Sequence, residues 1–285
     1  MSAPHRRAEA LLEELRALAH RPMTFMEVCG THTMAAARSG LRGLLPPGVR
    51  LISGPGCPVC VTPVGYVDHA LALAAEPGVS VATFGDMVRV PGSRRGDAAA
   101  PPTLQTARAD GADVRVVLSP ADALALARAH PGREVVMLGV GFESTAPAVA
   151  ATLGQARDEG VGNYSVLSAH KTIPGAMQVL SSSGELALDG FLCPGHVSVI
   201  IGPESYEPLA ERGIPCAIAG FEPEEMLLGI VALARQVHVG DARVDNVYPA
   251  VVRAGGNPVA RRRLEQAFTP CDSRWRGIGP IPGSG

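Results

Sequence analysis

The sequence predicts an α/β protein made of two doubly wound domains whose parallel sheets face a shared cleft. Three observations carry that prediction. Short apolar runs alternate with helical periodicity about seven times along the chain, with brief connections between them, the grammar of parallel sheets covered by helices on both faces. The 285 residues are 46% hydrophobic but only 4% aromatic, so the cores are built mainly from Ala, Val, Leu and Ile, which suits α/β layers. Nearly every cluster of Cys, His, Asp, Glu or Lys follows a predicted strand, the end of an open α/β sheet at which ligands bind. A chain of this length buries two cores without disulfide staples.

In chain order, Leu11, Leu12, Leu15 and Leu18 recur at helical spacing with charges between them, so residues 1–20 read as an amphipathic helix serving as a lid or brace. A first α/β domain is expected over 21–115. Thr24 to Val28 forms its first strand, stopped by Cys29-Gly30, and a helix follows through Met34 to Arg38. Arg50 to Ser53 leads into a cysteine turn, after which Thr62 supplies an N-cap and Pro63 a first-turn proline for a helix to about Ala75. Val79 to Phe84 is a strand, and residues 88–102 are a loop rich in Pro, Gly, Arg and Ala. A second domain is expected over 116–240. Ser119-Pro120 caps the helix 121–130; Val135 to Val140 is a buried strand; Gly141 to Pro147 breaks into a helix through about Arg157. Tyr164 to Leu167, Gly190 to Leu192 and Cys216 to Ala219 are strands, Glu224 to Gln236 is the last clear helix, and 241–285 is a looser C-terminal segment.

Several function classes are excluded by charge and hydropathy. The formal net charge is -2 and the longest cationic run is Arg261-Arg262-Arg263, which leaves no footprint for nucleic acid or an anionic membrane. Arg6, Arg7, Glu9, Glu13 and Glu14 break up any signal-peptide core near the start, and no run approaches a membrane span. The chain is therefore expected in the cytoplasm, where a CxxC reads as metal-binding or redox-active.

The chemistry concentrates around Gly54-Pro55-Gly56-Cys57-Pro58-Val59-Cys60. Two sulfurs separated by two residues bind one metal or form a disulfide, while the bland alternative is a pair of small buried hydrophobes. With Cys29 and His32 of Cys-Gly-Thr-His-Thr they make a possible Cys₃His set for zinc, and a thiolate before a helix is equally a soft ligand for iron. Zinc and iron are both open on this reading. Gly-Phe-Glu occurs twice, at Glu143 and Glu222, and each carboxylate alone reads as a helix N-terminal charge. His170, Lys171 and His196 suit an anionic ligand or proton transfer, with hydrogen-bonded structural roles as the alternative. Lys171 is the one lysine among 25 basic residues, a position that wants an ammonium or a survivor of compositional bias. Cys193 and Cys216 read as core, and Cys271 lies in a polar tail.

Taken together, Phe25 to Thr33, Gly54 to Val61, Phe84 to Met87 with Arg89 to Ser93, Gly141 to Pro147, His170-Lys171 and Pro194 to Ser198 resemble the HypD family of hydrogenase formation proteins, in order and over most of the chain. The resemblance implies a scaffold for assembling the Fe(CN)₂CO unit of [NiFe]-hydrogenase, rather than a turnover enzyme. It implies iron held at Cys29 together with the small chaperone HypC, cyanide received from HypE, and delivery to the hydrogenase large subunit precursor. It further implies that Cys57 and Cys60 are a redox dithiol able to supply two electrons, with His32 beside the site. Family members carry a C-terminal extension whose cysteines bind a [4Fe-4S] cluster. This chain stops at Gly285 and reads as truncated before that region. The alternatives to the scaffold are a thiol-disulfide oxidoreductase acting through Cys57 and Cys60, and a zinc-stabilised binding module.

Overall fold

A computed structural model of the chain describes residues 3–285 apart from residues 95, 97–99, 183, 185 and 186. Part of the loop expected over 88–102 thus lies outside the described residues. The strands that build the sheets are β1 (Met23–Glu27), β2 (Val49–Ser53), β3 (Val79–Thr83), β4 (Val114–Val116), β5 (Glu134–Gly139), β6 (Tyr164–Ser168), β7 (Gly190–Pro194), β8 (Cys216–Ala219) and β9 (Val244–Asn246). They form two wholly parallel sheets, in the orders β2-β1-β7-β8-β9 and β4-β3-β5-β6. Both share one topology: the first strand of each sheet has the second on one side and the later strands on the other. That is the flavodoxin-like doubly wound order, whose crevice opens beside the first strand at the carboxyl ends.

The sheets do not divide at the expected boundary of residues 115 and 116. The chain splits into a unit of Met1–Cys57 with Ile173–Pro258, and a unit of Pro58–Thr172 with Val259–Gly285. The free edge of β1 is taken by β7, with Phe25 opposite Gly190 and Glu27 opposite Leu192. Local patterning marks where strands occur but carries no information on which distant strand they pair with.

In the first unit the core gathers Phe25, Leu192, Ala217, Ile230 and Leu233, with the long helix Pro223–Val239 along the sheet. The N-terminal helix Ala3–Leu18 buries Leu11 and Leu15 in that core. Arg235 holds Glu14 by two hydrogen bonds of 2.5 and 2.8 Å at its rim. Of the two roles expected for this helix, it fills that of a brace.

In the second unit successive residues point to opposite faces. Val81 and Leu138 join Val67 and Leu71 on one side, while Ala82 and Met137 join Leu124 and Tyr164 on the other. Two local expectations change here. Thr62 does not cap the following helix: its hydroxyl donates to the Pro58 carbonyl at 2.8 Å, and Pro63 stands at the N-cap of Val64–Ala75. The C-terminal segment is also built rather than loose. It contains a helix, Pro258–Ala267, and an antiparallel hairpin of β10 (Ser273–Trp275) and β11 (Gly279–Ile281). Trp275 is buried there, stacks on Phe142 and donates from Nε1 to Ser284 Oγ at 2.9 Å. Among the described residues no helix is long and apolar enough to cross a membrane.

Candidate functional site

Cys29 follows β1 and stands at the N-cap of the helix Gly30–Ser39 in extended backbone, with no side-chain capping bond. Its thiol is free and partly exposed. The chain turns here because Glu27, the last residue of β1, is fully buried and must be satisfied locally. One carboxylate oxygen accepts the Cys29 amide at 3.1 Å; the other accepts the Thr33 hydroxyl at 2.5 Å and faces Arg42 at 3.4 Å. Burial raises the Glu27 pKa, and the hydroxyls of Ser53 and Thr33, the Cys29 amide and Arg42 work against that rise. The outcome is a thiol fixed through its own backbone, at the positive end of a helix dipole.

The cysteine turn lies directly against this backbone. The Gly56 carbonyl accepts from the Gly30 amide at 2.9 Å, and a Cβ on Gly56 would stand 2.5 Å from Cys29 Cα. Only glycine permits that approach. Cys57, the next residue, is joined to Cys60 in a disulfide, and Cys60 is exposed. In this form neither sulfur is available as a thiolate ligand. Among the described residues no three His, Cys, Asp or Glu side chains are gathered as a metal site, so the Cys₃His set is not assembled here.

His32, one turn into the helix, is fully buried. Its Nε2 lies 2.8 Å from the Gly220 carbonyl, which follows β8 and can only accept, so the ring proton belongs on Nε2. Burial pushes its pKa down to about 4, so the ring is neutral and carries its lone pair on Nδ1. That atom is buried and has no hydrogen-bond partner among the described residues. Phe221 is sandwiched between two imidazoles, with centroids 4.7 Å from His32 and 3.9 Å from His196. Burial of the ring also lowers the His196 pKa. His196 follows β7, so Cys29, His32 and His196 stand at the carboxyl ends of β1 and β7, the strands that flank this sheet's switch point.

The remaining candidates lie in the second unit. Glu143 follows β5 and is buried; its counterpart Glu222 is exposed and caps the helix Pro223–Val239 with Glu225. The repeated Gly-Phe-Glu thus splits into one helix cap and one buried carboxylate. Lys171 is 2% exposed and donates to Ser273 Oγ at 2.7 Å and the Arg274 carbonyl at 2.9 Å, with its Nζ 5.5 Å from the Trp275 ring. Burial pushes its pKa down. His170 meets Ser168 Oγ through Nδ1 at 3.0 Å and packs on Phe268, and burial takes its pKa to about 4. These three residues line a cavity of about 510 Å³. Cys193 and Cys216 are core residues, as expected, and burial with its neighbour Cys216 drives the Cys193 thiol well up.

Sequence reasoning did not single out Glu27, Phe221 or Trp275 as site residues. Each left a signal: a carboxylate inside the apolar run Phe25-Met26-Glu27-Val28, a second Gly-Phe-Glu, and the chain's one tryptophan.

Comparison with known proteins agrees on a single family. Residues 6–285 match the family model HypD, described as hydrogenase formation hypA family. The hydrogenase maturation factor HypD of Rhodobacter capsulatus is 44% identical over 277 residues, covering 96% of this chain and 72% of that protein. Its namesake in Azotobacter vinelandii is 45% identical, over 93% of this chain and 70% of that protein. The HypD of Escherichia coli K12 is 44% identical, over 94% of this chain and 70% of that protein.

Proposed function

The chain belongs to the HypD family of hydrogenase maturation factors, and from that membership we propose that it is a scaffold on which the Fe(CN)₂CO unit of [NiFe]-hydrogenase is assembled. Its role lies in hydrogenase maturation. The observation that carries the finer reading is Cys29: a free thiol, clamped through its amide by the buried Glu27, with the disulfide turn packed against its backbone at Gly56. In this reading iron is cargo. The Cys29 thiolate holds it together with a thiolate of HypC, cyanide arrives from HypE, and the completed unit passes to the large subunit precursor. A soft thiolate suits the low-spin ferrous iron that cyanide and carbon monoxide demand.

Cys57 and Cys60 act as the electron source. Each conversion of the dithiol to the disulfide releases two electrons and two protons, and a thiol or iron-sulfur donor must restore the reduced pair. Glu27 is a positioning residue that fixes Cys29 without touching the cargo. His32, neutral and fully buried with Nε2 on the Gly220 carbonyl, is a positioning residue one turn beyond Cys29.

Anaerobic co-purification with HypC tests the reading. Wild-type chain should retain iron, and Cys29→Ala should fall to background while its Cys57–Cys60 pair still cycles with a small dithiol. Equal iron in Cys29→Ala overturns it. A second reading, a thiol-disulfide oxidoreductase, is favoured by the exposed, disulfide-bonded Cys60. It predicts turnover of a generic disulfide that survives Cys29→Ala and needs no partner.

A further inference from the structure

The brace made by the N-terminal helix ends in a feature that the iron-holding role does not use. Three side-chain pairs run in step along Ala3–Leu18 and Pro223–Val239 and just beyond: Arg7 meets Glu224 at 3.0 Å, Glu14 meets Arg235 at 2.5 Å, and His20 meets His238 at 3.1 Å. Residue numbers rise together along both helices, so the two run parallel and their C-terminal ends lie side by side. The first two pairs are ion pairs, whereas the third joins two imidazoles through His20 Nε2 and His238 Nδ1. We propose that His20 and His238 form a two-histidine site for a divalent metal ion that favours imidazole, with zinc as its representative.

Two distances separate a chelating pair from a plain hydrogen bond. A straight N–H···N bond of 3.1 Å would hold the ring centroids about 5.4 Å apart. The centroids stand 4.5 Å apart, with the ring planes at 71°, so at least one ring nitrogen points off the line between them. Two imidazoles on one ion, bound at about 2.0–2.1 Å and about 90–110° from each other, have nitrogens about 2.8–3.4 Å and centroids about 4.5–5.3 Å apart. His20 and His238 meet both conditions. Their place in the fold also favours a cation. His20 lies two residues past the end of its helix and His238 in the last turn of its own, where carbonyls without helical partners gather the negative ends of two dipoles. Both rings are exposed, so a hydrated ion reaches them and water fills the positions that the protein leaves open. Two ligands make an exchangeable site rather than a closed structural one. A bound ion ties the end of the first helix to the end of the long core helix and strengthens the brace. The inference stands on these two helices of the first unit and is independent of the Cys29 reading.

Calorimetric titration of zinc chloride into the full chain tests this, with Cys29 and Cys271 alkylated and Cys57–Cys60 kept as the disulfide so that no accessible thiolate competes. One equivalent should bind. His20→Gln and His238→Gln should each weaken it at least about tenfold, the low end of what even an outer-shell change costs a metal site, and His69→Gln, at an exposed histidine of another helix, should leave it unchanged. Zinc should also raise the denaturation midpoint of the wild type and of neither paired variant, since the two rings meet only in the folded chain. No zinc uptake by the wild type, a midpoint that zinc does not move, or wild-type affinity in a folded His20→Gln or His238→Gln would each overturn the proposal. Both positions are exposed, where substitutions rarely disturb folding, and the wild-type titration needs no variant.

Discussion

The two units place polar residues at the carboxyl ends of sheets with the same strand order, yet they treat those residues in opposite ways. In the first, hydrogen bonds converge on one backbone: Glu27 and Gly56 fix the main chain at Cys29 and Gly30. In the second, Glu143, His170 and Lys171 surround about 510 Å³ of open volume. Two histidines, the buried His32 and the half-buried His170, make the contrast concrete. Both have pKa values pushed to about 4, but His32 engages Nε2 and leaves Nδ1 open, whereas His170 engages Nδ1 and leaves Nε2 open. The same topology therefore carries a free thiol at a helix start in one unit and an apolar-walled cavity in the other.

Acid should strain both units alike, and this is the largest effect on stability. Each histidine titrates in the unfolded chain near its ordinary 6.5 and in the folded chain near 4. Above 6.5 both states are neutral and nothing is lost; as pH falls from 6.5 towards 4 the unfolded state gains the proton first and stability declines. The loss approaches about 3 kcal/mol per histidine, measured by denaturant unfolding across that window. His32→Phe and His170→Phe should each remove about half of the slope that the pair contributes, and an unchanged slope in either would break the symmetry drawn here.

Lys171→Met should sharpen the contrast. It strands Ser273 Oγ and the Arg274 carbonyl at a cost of about 1–3 kcal/mol, visible as a lower denaturation midpoint, while iron retention by the folded variant stays at wild-type level. A drop in iron content would show that Lys171 belongs to the thiol site. The smallest effect is expected from Glu27→Gln. An amide keeps the bond from the Cys29 amide but loses the charge facing Arg42, so iron affinity should fall about tenfold with little loss of fold. The rate of Cys29 alkylation at a single pH separates positioning from bulk stability: it should change in Glu27→Gln and stay at the wild-type value in Lys171→Met.

Much of this was legible from residues. The apolar runs placed the strands of both sheets except β9, which lies in the segment read as loose, because the pattern of a buried parallel strand is local. The solitary Lys171 did mark a position where an ammonium is buried and twice hydrogen-bonded. Pairing was not legible: β7 joins β1 across more than half the chain, and no local signal encodes that choice. Nor was the fate of the two Gly-Phe-Glu segments, since identical tripeptides became an exposed cap at Glu222 and a buried carboxylate at Glu143 according to the helices that follow them. The order in the C-terminal segment depends on Trp275 finding Phe142 and Ser284, and periodicity is silent about such a contact.

The claim that Cys29 carries iron in transit is tested most directly by infrared spectroscopy. Chain and HypC would be co-purified anaerobically from cells that hold the other maturation proteins, as wild type and as Cys29→Ala. We expect cyanide and carbonyl stretches of an iron-bound unit in the wild type and none in the variant. Their absence from the wild-type complex, or equal intensity in Cys29→Ala, would contradict the account.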